Sequence, residues 1–175
     1  DVENLIRNDL TQALATAIDL GALAGTGSSG QPTGISGTSG INTTTFAAAT
    51  PTWAEIVAME SAVANDNALN GSLGYICRPA DFGTLKTVEK ASGTAQFVVN
   101  PDNSMNGYNV VRSNQVTSGD FYFGNFADLL IGMYGGLDIS VDPFALSTSG
   151  GVRIVALQTV DVAVRHAVSF CKSSD

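Results

Sequence analysis

The first 24 residues carry the most regular hydrophobic pattern of the chain. Apolar side chains recur there at steps of three and four residues, the spacing of one helical face; they are Val2, Leu5, Ile6, Leu10, Ala13, Leu14, Ala17 and Ile18. Polar residues fill the opposite face, and no proline interrupts the run. The pattern predicts one helix from residue 2 to residue 24, roughly 35 Å long at about 1.5 Å per residue. Ordinary helices average about 11 to 12 residues, so this one is predicted to act as a strut.

A glycine-rich segment without charge follows the predicted helix. Gly25 and Gly27 are suited to end it, because glycine accepts left-handed backbone geometry. Residues 25–52 contain no Asp, Glu, Lys or Arg. A loop of this length is unusual inside a compact domain and is commonly functional or mobile. We therefore expect part of this segment to be available to partners.

Two shorter helices are predicted downstream. Thr-Trp-Ala-Glu at residues 52–55 matches a capping box, in which the Thr hydroxyl and the Glu carboxylate each accept a hydrogen bond from a free backbone N–H. The second helix is predicted to start there and to end near Asn70-Gly71. The third is predicted to run from Arg78 to about Val88, because Pro79 suits a first helical turn.

Strands are predicted where β-branched and aromatic residues concentrate. The predicted strands are residues 74–77, 95–99, 108–111, 121–123, 126–133, 137–141 and 152–164. Asn106-Gly107 suits a turn with positive φ between the second and third of these. Gly124-Asn125 is predicted to turn between the fourth and fifth. Residues 142–151 are predicted to join the two longest strands, and a last strand that contains His166 closes the chain.

Composition excludes several classes of function. The chain of 175 residues is 44% hydrophobic, and only 14% of its residues are charged, which is below the usual quarter. Its net charge is −8, and we find no basic cluster of the kind that binds nucleic-acid phosphates. A shell that encloses nucleic acid without binding it specifically remains compatible with this charge. No apolar run approaches the roughly 18 residues that a membrane helix needs.

Three candidate chemical sites can be weighed from local sequence. Residues 25–30 match G-x-G-x-x-G, but a dinucleotide site requires a strand before the glycines and a helix after them, and here the order is reversed. Asp102 opens a partial calcium loop whose twelfth position is Ser113 instead of a bidentate Glu. Cys77 and Cys171 form no ligand motif and are predicted to be buried free thiols. We predict no catalytic, cofactor-binding or metal-binding residue.

Several motifs in fixed order resemble one protein family. The helix ends A-L-A-T-A-I-D-L-G-A-L-A-G-T-G and runs into G-Q-P-T-G-I; later come R-P-A-D-F, Gly-Asn-Phe, and a closing V-D-V-A-V-R-H-A-V-S-F. Together they resemble the major capsid proteins of tailed phages, which have the Hong Kong 97-type fold. The resemblance covers all 175 residues. It implies an α+β fold in which the first helix is the spine.

The resemblance also implies a division into two domains. Residues 1–45 and 136–165 are expected to form a peripheral domain of spine helix, glycine-rich loop and long antiparallel hairpin. Residues 46–135 and 166–175 are expected to form an axial domain, a mixed sheet flanked by helices. The N-terminal arm and extended loop of the family are expected to precede Asp1, so the chain is expected to be a fragment or a processed form.

The function implied by the resemblance is structural. The chain is expected to assemble with itself into pentamers and hexamers, and then into a closed icosahedral shell around DNA, without enzymatic activity and without cofactors. Its implied location is the virion capsid of a phage or prophage, after synthesis in the bacterial cytoplasm. Portal and scaffold or protease proteins are further implied partners, and no membrane is involved. Some members crosslink covalently through an Asn between the long strands; residues 144–151 contain none, so crosslinking is not expected.

The residues expected to contact neighbouring subunits lie in two loops. They are Gly25, Gly27, Gln31, Pro32 and Thr33 in the glycine-rich loop, and Phe144, Thr148 and Ser149 between the long strands. The segment from Gly93 to Asn106 is a candidate for the ring axis. Two alternatives remain open at this stage: a nanocompartment (encapsulin-like) shell protein that packages an enzyme, and a small nucleotide-binding enzyme that uses the glycine loop.

Overall fold

The computed structural model describes residues 2–142 and 144–174 of the chain. The helices are α1 (Val2–Ala24), α2 (Trp53–Asn65) and α3 (Pro79–Leu85). The strands are β1 (Asn42–Thr45), β2 (Leu73–Cys77), β3 (Asn109–Arg112), β4 (Phe121–Asn125), β5 (Leu129–Asp142), β6 (Arg153–Val164) and β7 (Phe170–Ser174). Short 3-10 helices occupy Ile35–Gly37, Phe126–Asp128, Ser147–Ser149 and Ala167–Ser169.

Five strands form a mixed sheet in the order β1-β7-β4-β2-β3. β1 is parallel to β7 and β3 is parallel to β2, whereas the central β4 is antiparallel to both of its neighbours. Alternate residues of β4 enter different cores, because successive side chains point to opposite faces of a sheet. Phe121 and Phe123 pack with Ile56, Met59 and other residues of α2 on one face. Tyr122 packs on the other face.

The second core connects the sheet to the end of α1. Leu23 in the last turn of α1 and Ile35 just after the glycine-rich loop are buried against Tyr122 and Phe170. The rings of Phe126 and Phe170 meet edge to face with centroids 5.6 Å apart. This core therefore fixes the C-terminal end of α1, while the rest of the helix extends away from the sheet.

Strands β5 and β6 form a separate antiparallel ribbon that α1 covers on one face. Burial alternates along the end of β6, where Val160, Val162 and Val164 are covered and the residues between them are exposed. A two-stranded ribbon is marginally stable alone and needs such a cover. The covering stripe of α1 has a spacing of four residues and consists of Ile6, Leu10, Leu14 and Ile18. The predicted apolar face of the strut is thus confirmed, but it is narrower than expected, since Val2 and Leu5 remain 71% and 62% exposed.

The structure corrects three predicted strand boundaries. Residues 95–99 form no strand and make only isolated pairs, such as Val99 with Met105. Residues 129–133 and 137–141 belong to one strand, β5, with an irregularity between Tyr134 and Asp138, whereas residues 126–128 form a 3-10 helix. The predicted turn at Gly124-Asn125 lies inside β4, where a side chain at residue 124 would overlap the backbone of Ser169, just before β7, and of Phe170 at the start of β7. The chain turns one residue later, at Phe126–Asp128.

Helix ends and the histidine also differ from the prediction. α2 ends at Asn65, before the predicted Asn70-Gly71, and α3 ends at Leu85 instead of near Val88. His166 is exposed and precedes a 3-10 helix, so it is not part of the last strand.

Strand pairing in the structure crosses two of the expected domain boundaries. Strand β1, placed with residues 1–45 of the peripheral domain, pairs with β7 of the five-stranded sheet. The boundary between residues 135 and 136 falls within β5. The cause is the same at both places: strand pairing over long sequence distances decides which unit a residue joins.

The two cysteines are buried and free, as predicted. Burial raises the pKa of the Cys77 thiol to about 12 and that of Cys171 to about 11. Reactive thiols need a lowered pKa and access to solvent. These two cysteines therefore act as small apolar groups of the sheet core.

No helix among the described residues is both long enough and apolar enough to cross a bilayer.

The predicted capping box is present at the start of α2. The Thr52 hydroxyl accepts a hydrogen bond from the backbone N–H of Glu55, and the Glu55 carboxylate accepts one from the backbone N–H of Thr52 at 2.7 Å. The same carboxylate accepts the backbone N–H of Ala47 at 2.7 Å. These backbone donors hold the pKa of Glu55 below its usual value. The Glu55 side chain thus caps α2 and also binds the preceding loop at Ala47.

Replacing Thr52 by Ala removes the hydroxyl cap and is expected to lower the free energy of unfolding by about 1 kcal/mol. Urea denaturation followed by circular dichroism measures the change. Thr50→Ala is the matched control, because Thr50 is exposed two residues earlier and caps nothing. Equal midpoints for the two variants would contradict a stabilising cap.

Candidate subunit contacts

The glycine-rich loop folds back on the end of α1. The backbone N–H of Gly25 donates to Gly21 at 3.1 Å and ends the helix. The N–H of Gly34 then donates to the carbonyl of Gly25 at 2.9 Å, and that of Gly27 donates to Pro32 at 3.1 Å. Thr26 and Thr33 form an isolated antiparallel β-bridge where the loop folds back. The loop is therefore ordered by its own backbone hydrogen bonds, although it lacks charge.

Gly25 has a clear role within its own chain. It is buried, and a Cβ atom at this position would overlap the carbonyl oxygens of Gly21 and Pro32. Its contact with another subunit stays a prediction. Gly27, Gln31 and Thr33 are exposed and Pro32 is half-buried, so the other four predicted contacts remain accessible on this loop.

The geometry of the glycine loop does not match a nucleotide site. A helix precedes the glycines, and only the three-residue 3-10 helix Ile35–Gly37 follows. The backbone N–H groups of Gly27 and Gly34 already donate within the chain. Phosphate binding relies on free backbone N–H groups at the start of a helix. The N–H groups of Gly27 and Gly34 are already hydrogen-bonded, and no α-helix starts at this loop.

The second predicted loop lies at the far end of the ribbon. Oδ1 of Asp142 accepts the backbone N–H of Phe144 at 2.9 Å and that of Ala145 at 3.2 Å, which turns the chain after β5. Phe144 is 82% exposed, and Thr148 and Ser149 are exposed as well. A large aromatic side chain held in solvent on an ordered turn is typical of a contact surface.

The structure keeps the two predicted contact loops apart. The glycine-rich loop begins where α1 ends, whereas Val141 and Ile154, which flank the other loop, border Val2 and Ile6 at the start of α1. The length of α1, roughly 35 Å, separates them. The groove of about 460 Å³ between the start of α1 and the ribbon is lined mainly by apolar side chains. One molecule thus presents two contact candidates at opposite ends of its strut.

The segment from Gly93 to Asn106, called the tip below, is a series of turns. Ala95 and Asn103 adopt positive φ angles of 53° and 62°. Asn106-Gly107 forms the predicted two-residue turn, with φ of 53° and 81° and reciprocal backbone hydrogen bonds between Met105 and Tyr108 at 3.0 Å. Both residues of such a turn need positive φ, which Asn and Gly tolerate.

Glu60 of α2 anchors the tip, a role that was not among the sequence-based predictions. Its carboxylate accepts the Tyr108 hydroxyl at 2.7 Å and the side-chain amide of Asn106. The hydrogen bond to Glu60 raises the pKa of Tyr108 to about 12. Burial raises the pKa of the neighbouring Tyr75, whose hydroxyl donates to Ile56 O at 3.1 Å. A usable signal existed: Glu60 follows Ile56 by four residues and so lies on the apolar face of α2.

The remaining polar candidates are arranged as turns and surface groups. Oδ1 of Asp102 accepts both the backbone N–H and the hydroxyl of Ser104, at 3.0 and 2.6 Å. These bonds lower the pKa of Asp102, the hydroxyl being the larger cause. No group of three or more His, Cys, Asp or Glu side chains within residues 2–142 and 144–174 is arranged to hold a metal ion. The partial calcium motif is thus a tight turn.

A spine helix packed on a long antiparallel ribbon, joined to a mixed sheet with flanking helices, defines the Hong Kong 97-type capsid fold. The chain belongs to the phage capsid family, whose model matches residues 1–174. It is 35% identical, over 169 residues, to the major capsid protein of Halomonas phage phiHAP-1, covering 97% of this chain and 28% of the relative.

Solved capsid structures share the fold across nearly the whole chain. The capsid of an empty GTA particle matches with a TM-score of 0.73 and 19% identity, covering 99% of this chain and 65% of that one. Gordonia phage Cozz matches with a TM-score of 0.70 and 16% identity, covering 99% and 63%. The chain therefore spans 28% of the curated relative and about two thirds of the solved chains.

Tyr108→Phe removes one hydrogen bond to the Glu60 carboxylate and is expected to lower the free energy of unfolding by about 1.5 kcal/mol. Chemical denaturation measures the loss. Tyr134→Phe deletes the same hydroxyl from a side chain that is 65% exposed and should change stability by less than about 0.5 kcal/mol. If both variants unfold at the same denaturant concentration, Glu60 does not anchor the tip.

Proposed function

We propose that this chain is part of the major capsid protein of a tailed phage or prophage and acts by self-association into a closed icosahedral shell. One observation carries the proposal: the strut and ribbon expose large apolar side chains at both ends. At the far end these include Val2, Leu5, Val141, Phe144, Leu146 and Val152, exposed by 45% to 82%. Contact of this apolar surface with water is unfavourable for an isolated molecule, and neighbouring subunits that cover the surface remove the cost.

The arrangement of these surfaces favours rings. Contacts between unlike patches, the head of one molecule against the tail of the next, close into a ring when the rotation between copies allows it. The two contact loops at opposite ends of α1 supply unlike patches. We infer pentamers and hexamers, with residues 26–33 and 144–151 between neighbouring copies and the tip close to the ring axis.

The domain division follows from the same reasoning. We assign α1, the glycine-rich loop and the complete ribbon from Leu129 to Val164 to the peripheral domain. We assign the five-stranded sheet, including β1, with α2 and α3 to the axial domain. The supporting observation is the pairing of β1 with β7 and the continuity of β5.

The proposed shell encloses DNA without specific contacts, as the net charge of −8 favours. The location that follows is the virion capsid, after synthesis in the bacterial cytoplasm, and portal and scaffold or protease proteins are the partners expected for such a shell. We propose no catalytic role. His166 is exposed, and both thiols are buried with raised pKa values, which makes them poor nucleophiles.

A nanocompartment shell protein would have the same fold, but its shell would enclose an enzyme instead of DNA. The relative of 35% identity is a phage major capsid protein, and this favours the phage assignment. The content of purified particles discriminates between the two: DNA supports a phage capsid, and an enzyme cargo supports a nanocompartment.

Introducing a carboxylate at Thr148 or Ser149 tests the contact at the end of the ribbon. In the gene product that contains this chain, Thr148→Glu or Ser149→Glu should lower particle yield by about tenfold, because burying a carboxylate without a partner at a closed contact is unfavourable. Sedimentation and electron microscopy measure the yield, and the melting temperature should stay within a few degrees of the parent. Ser61→Glu, on the exposed side of α2, is the control. Unchanged yield for both loop variants would remove this loop from the interface.

A further inference from the structure

A cavity of about 450 Å³ lies between the residues that follow α3 and the tip. Its charged lining consists of two lysines, Lys86 and Lys90, and the amides of Gln96, Asn100 and Asn103 supply further polar groups. No carboxylate lines the cavity. A concave site with ammonium and amide donors has the chemistry to receive an anion.

Both lysines contact neutral groups in their own chain. Lys90 Nζ lies 3.2 Å from Asn100 Oδ1 and 4.3 Å from the centroid of the Trp53 ring. Lys86 Nζ lies 5.1 Å from the centroid of the Phe82 ring. The sequence has 16 acidic and 8 basic residues, yet neither ammonium pairs with a carboxylate among the described residues. By contrast, Lys172 on β7 pairs with the carboxylate of Asp120 at 3.1 Å.

The closest candidate anion on the tip is Asp102. It lies between Pro101 and Asn103, which both line the cavity, and its side chain is exposed. Its Oδ1 accepts two hydrogen bonds from Ser104, which fix the direction of the carboxylate. Asp102 thus stands on the rim of the cavity, turned to Ser104 and not to the lysines of its own chain.

Rotational symmetry brings this rim to the cavity of the next copy. Any group close to a ring axis is also close to the same part of the adjacent molecule, so a tip at the axis meets neighbouring tips. Copies of an acidic chain repel one another, and a local pairing of opposite charges offsets the repulsion where they approach most closely.

We propose that the cavity between Lys86 and Lys90 receives the Asp102 carboxylate of the neighbouring copy in a ring. This inference rests on the proposed self-association. The contact is heterologous, since the lysines of one copy meet the carboxylate of the next, and repeating it closes the ring. The contact of the Lys90 ammonium with the face of the Trp53 ring positions this ammonium before assembly, which reduces the entropy lost on contact.

Charge reversal and charge exchange test the contact in the gene product that contains this chain. Lys86→Glu with Lys90→Glu is expected to lower particle yield by about tenfold or more, whereas Lys86→Arg with Lys90→Arg keeps it within about twofold. Adding Asp102→Lys to the double Glu variant is expected to restore most of the yield, because the pair is reversed. Arg165→Glu, an exposed site next to the ribbon, adds the same negative charge as either single Lys→Glu change and is the control for each of these.

Amine acetylation read by mass spectrometry tests the same contact without any variant. In wild-type particles, Lys86 and Lys90 should react at least about fivefold more slowly than in dissociated subunits, so this measurement decides even if the Glu variants fail to fold. If wild-type particles form but both lysines react equally in the two states and the double Glu variant assembles normally, this inference alone falls. Failure of Asp102→Lys to restore yield removes Asp102 as the partner. If the wild-type product forms no rings or shells, the proposed function falls with it.

Discussion

The packing of α1 against the β5–β6 ribbon is the interaction on which the rest of the molecule depends. A two-stranded ribbon of this length cannot bury enough apolar surface to hold itself together. A helix of 23 residues is equally unable to do so without a partner. Each supplies the apolar face that the other lacks, and the second core, with Leu23, Ile35 and Tyr122, fixes the direction in which the pair leaves the sheet. Length and direction of the strut then determine where both loops lie.

This construction leaves a surface that one chain cannot cover. The helix has one narrow covered stripe, so other apolar side chains of α1 and the outer face of the ribbon stay in solvent. Leu130, Tyr134 and Leu157 are 52%, 65% and 61% exposed. An extended lobe has far more surface per residue than a compact one, and neighbours are the economical way to bury it. Low charge and exposed apolar groups thus have a common explanation in self-association, with the tip lysines adding local charge complementarity.

Local patterns were sufficient for several elements and failed where distant strands decide the outcome. The spine helix, the capping box at Thr52, the turn at Asn106-Gly107 and the buried thiols follow from spacing or residue type alone, and the structure confirms them. Residues 95–99 look like a strand but have no neighbour to pair with along their length. Gly124 looks like a turn residue but is a strand residue at which β7 passes closely. The place of Glu60 on the apolar face of α2 can be read from the sequence, but its partner Tyr108 lies 48 residues away, beyond any local sequence pattern. The contact residues came from family resemblance and stay a prediction, with Gly25 buried in its own chain and the others at least partly exposed.

Cryo-electron microscopy of particles formed by the gene product that contains this chain tests the central claim most directly. The account predicts closed shells in which residues 144–151 of one copy and residues 26–33 of another lie at contacts between subunits, with the tip beside the ring axis. A monodisperse monomer under all assembly conditions would contradict the account. Shells in which both ends of the strut face solvent would contradict it equally.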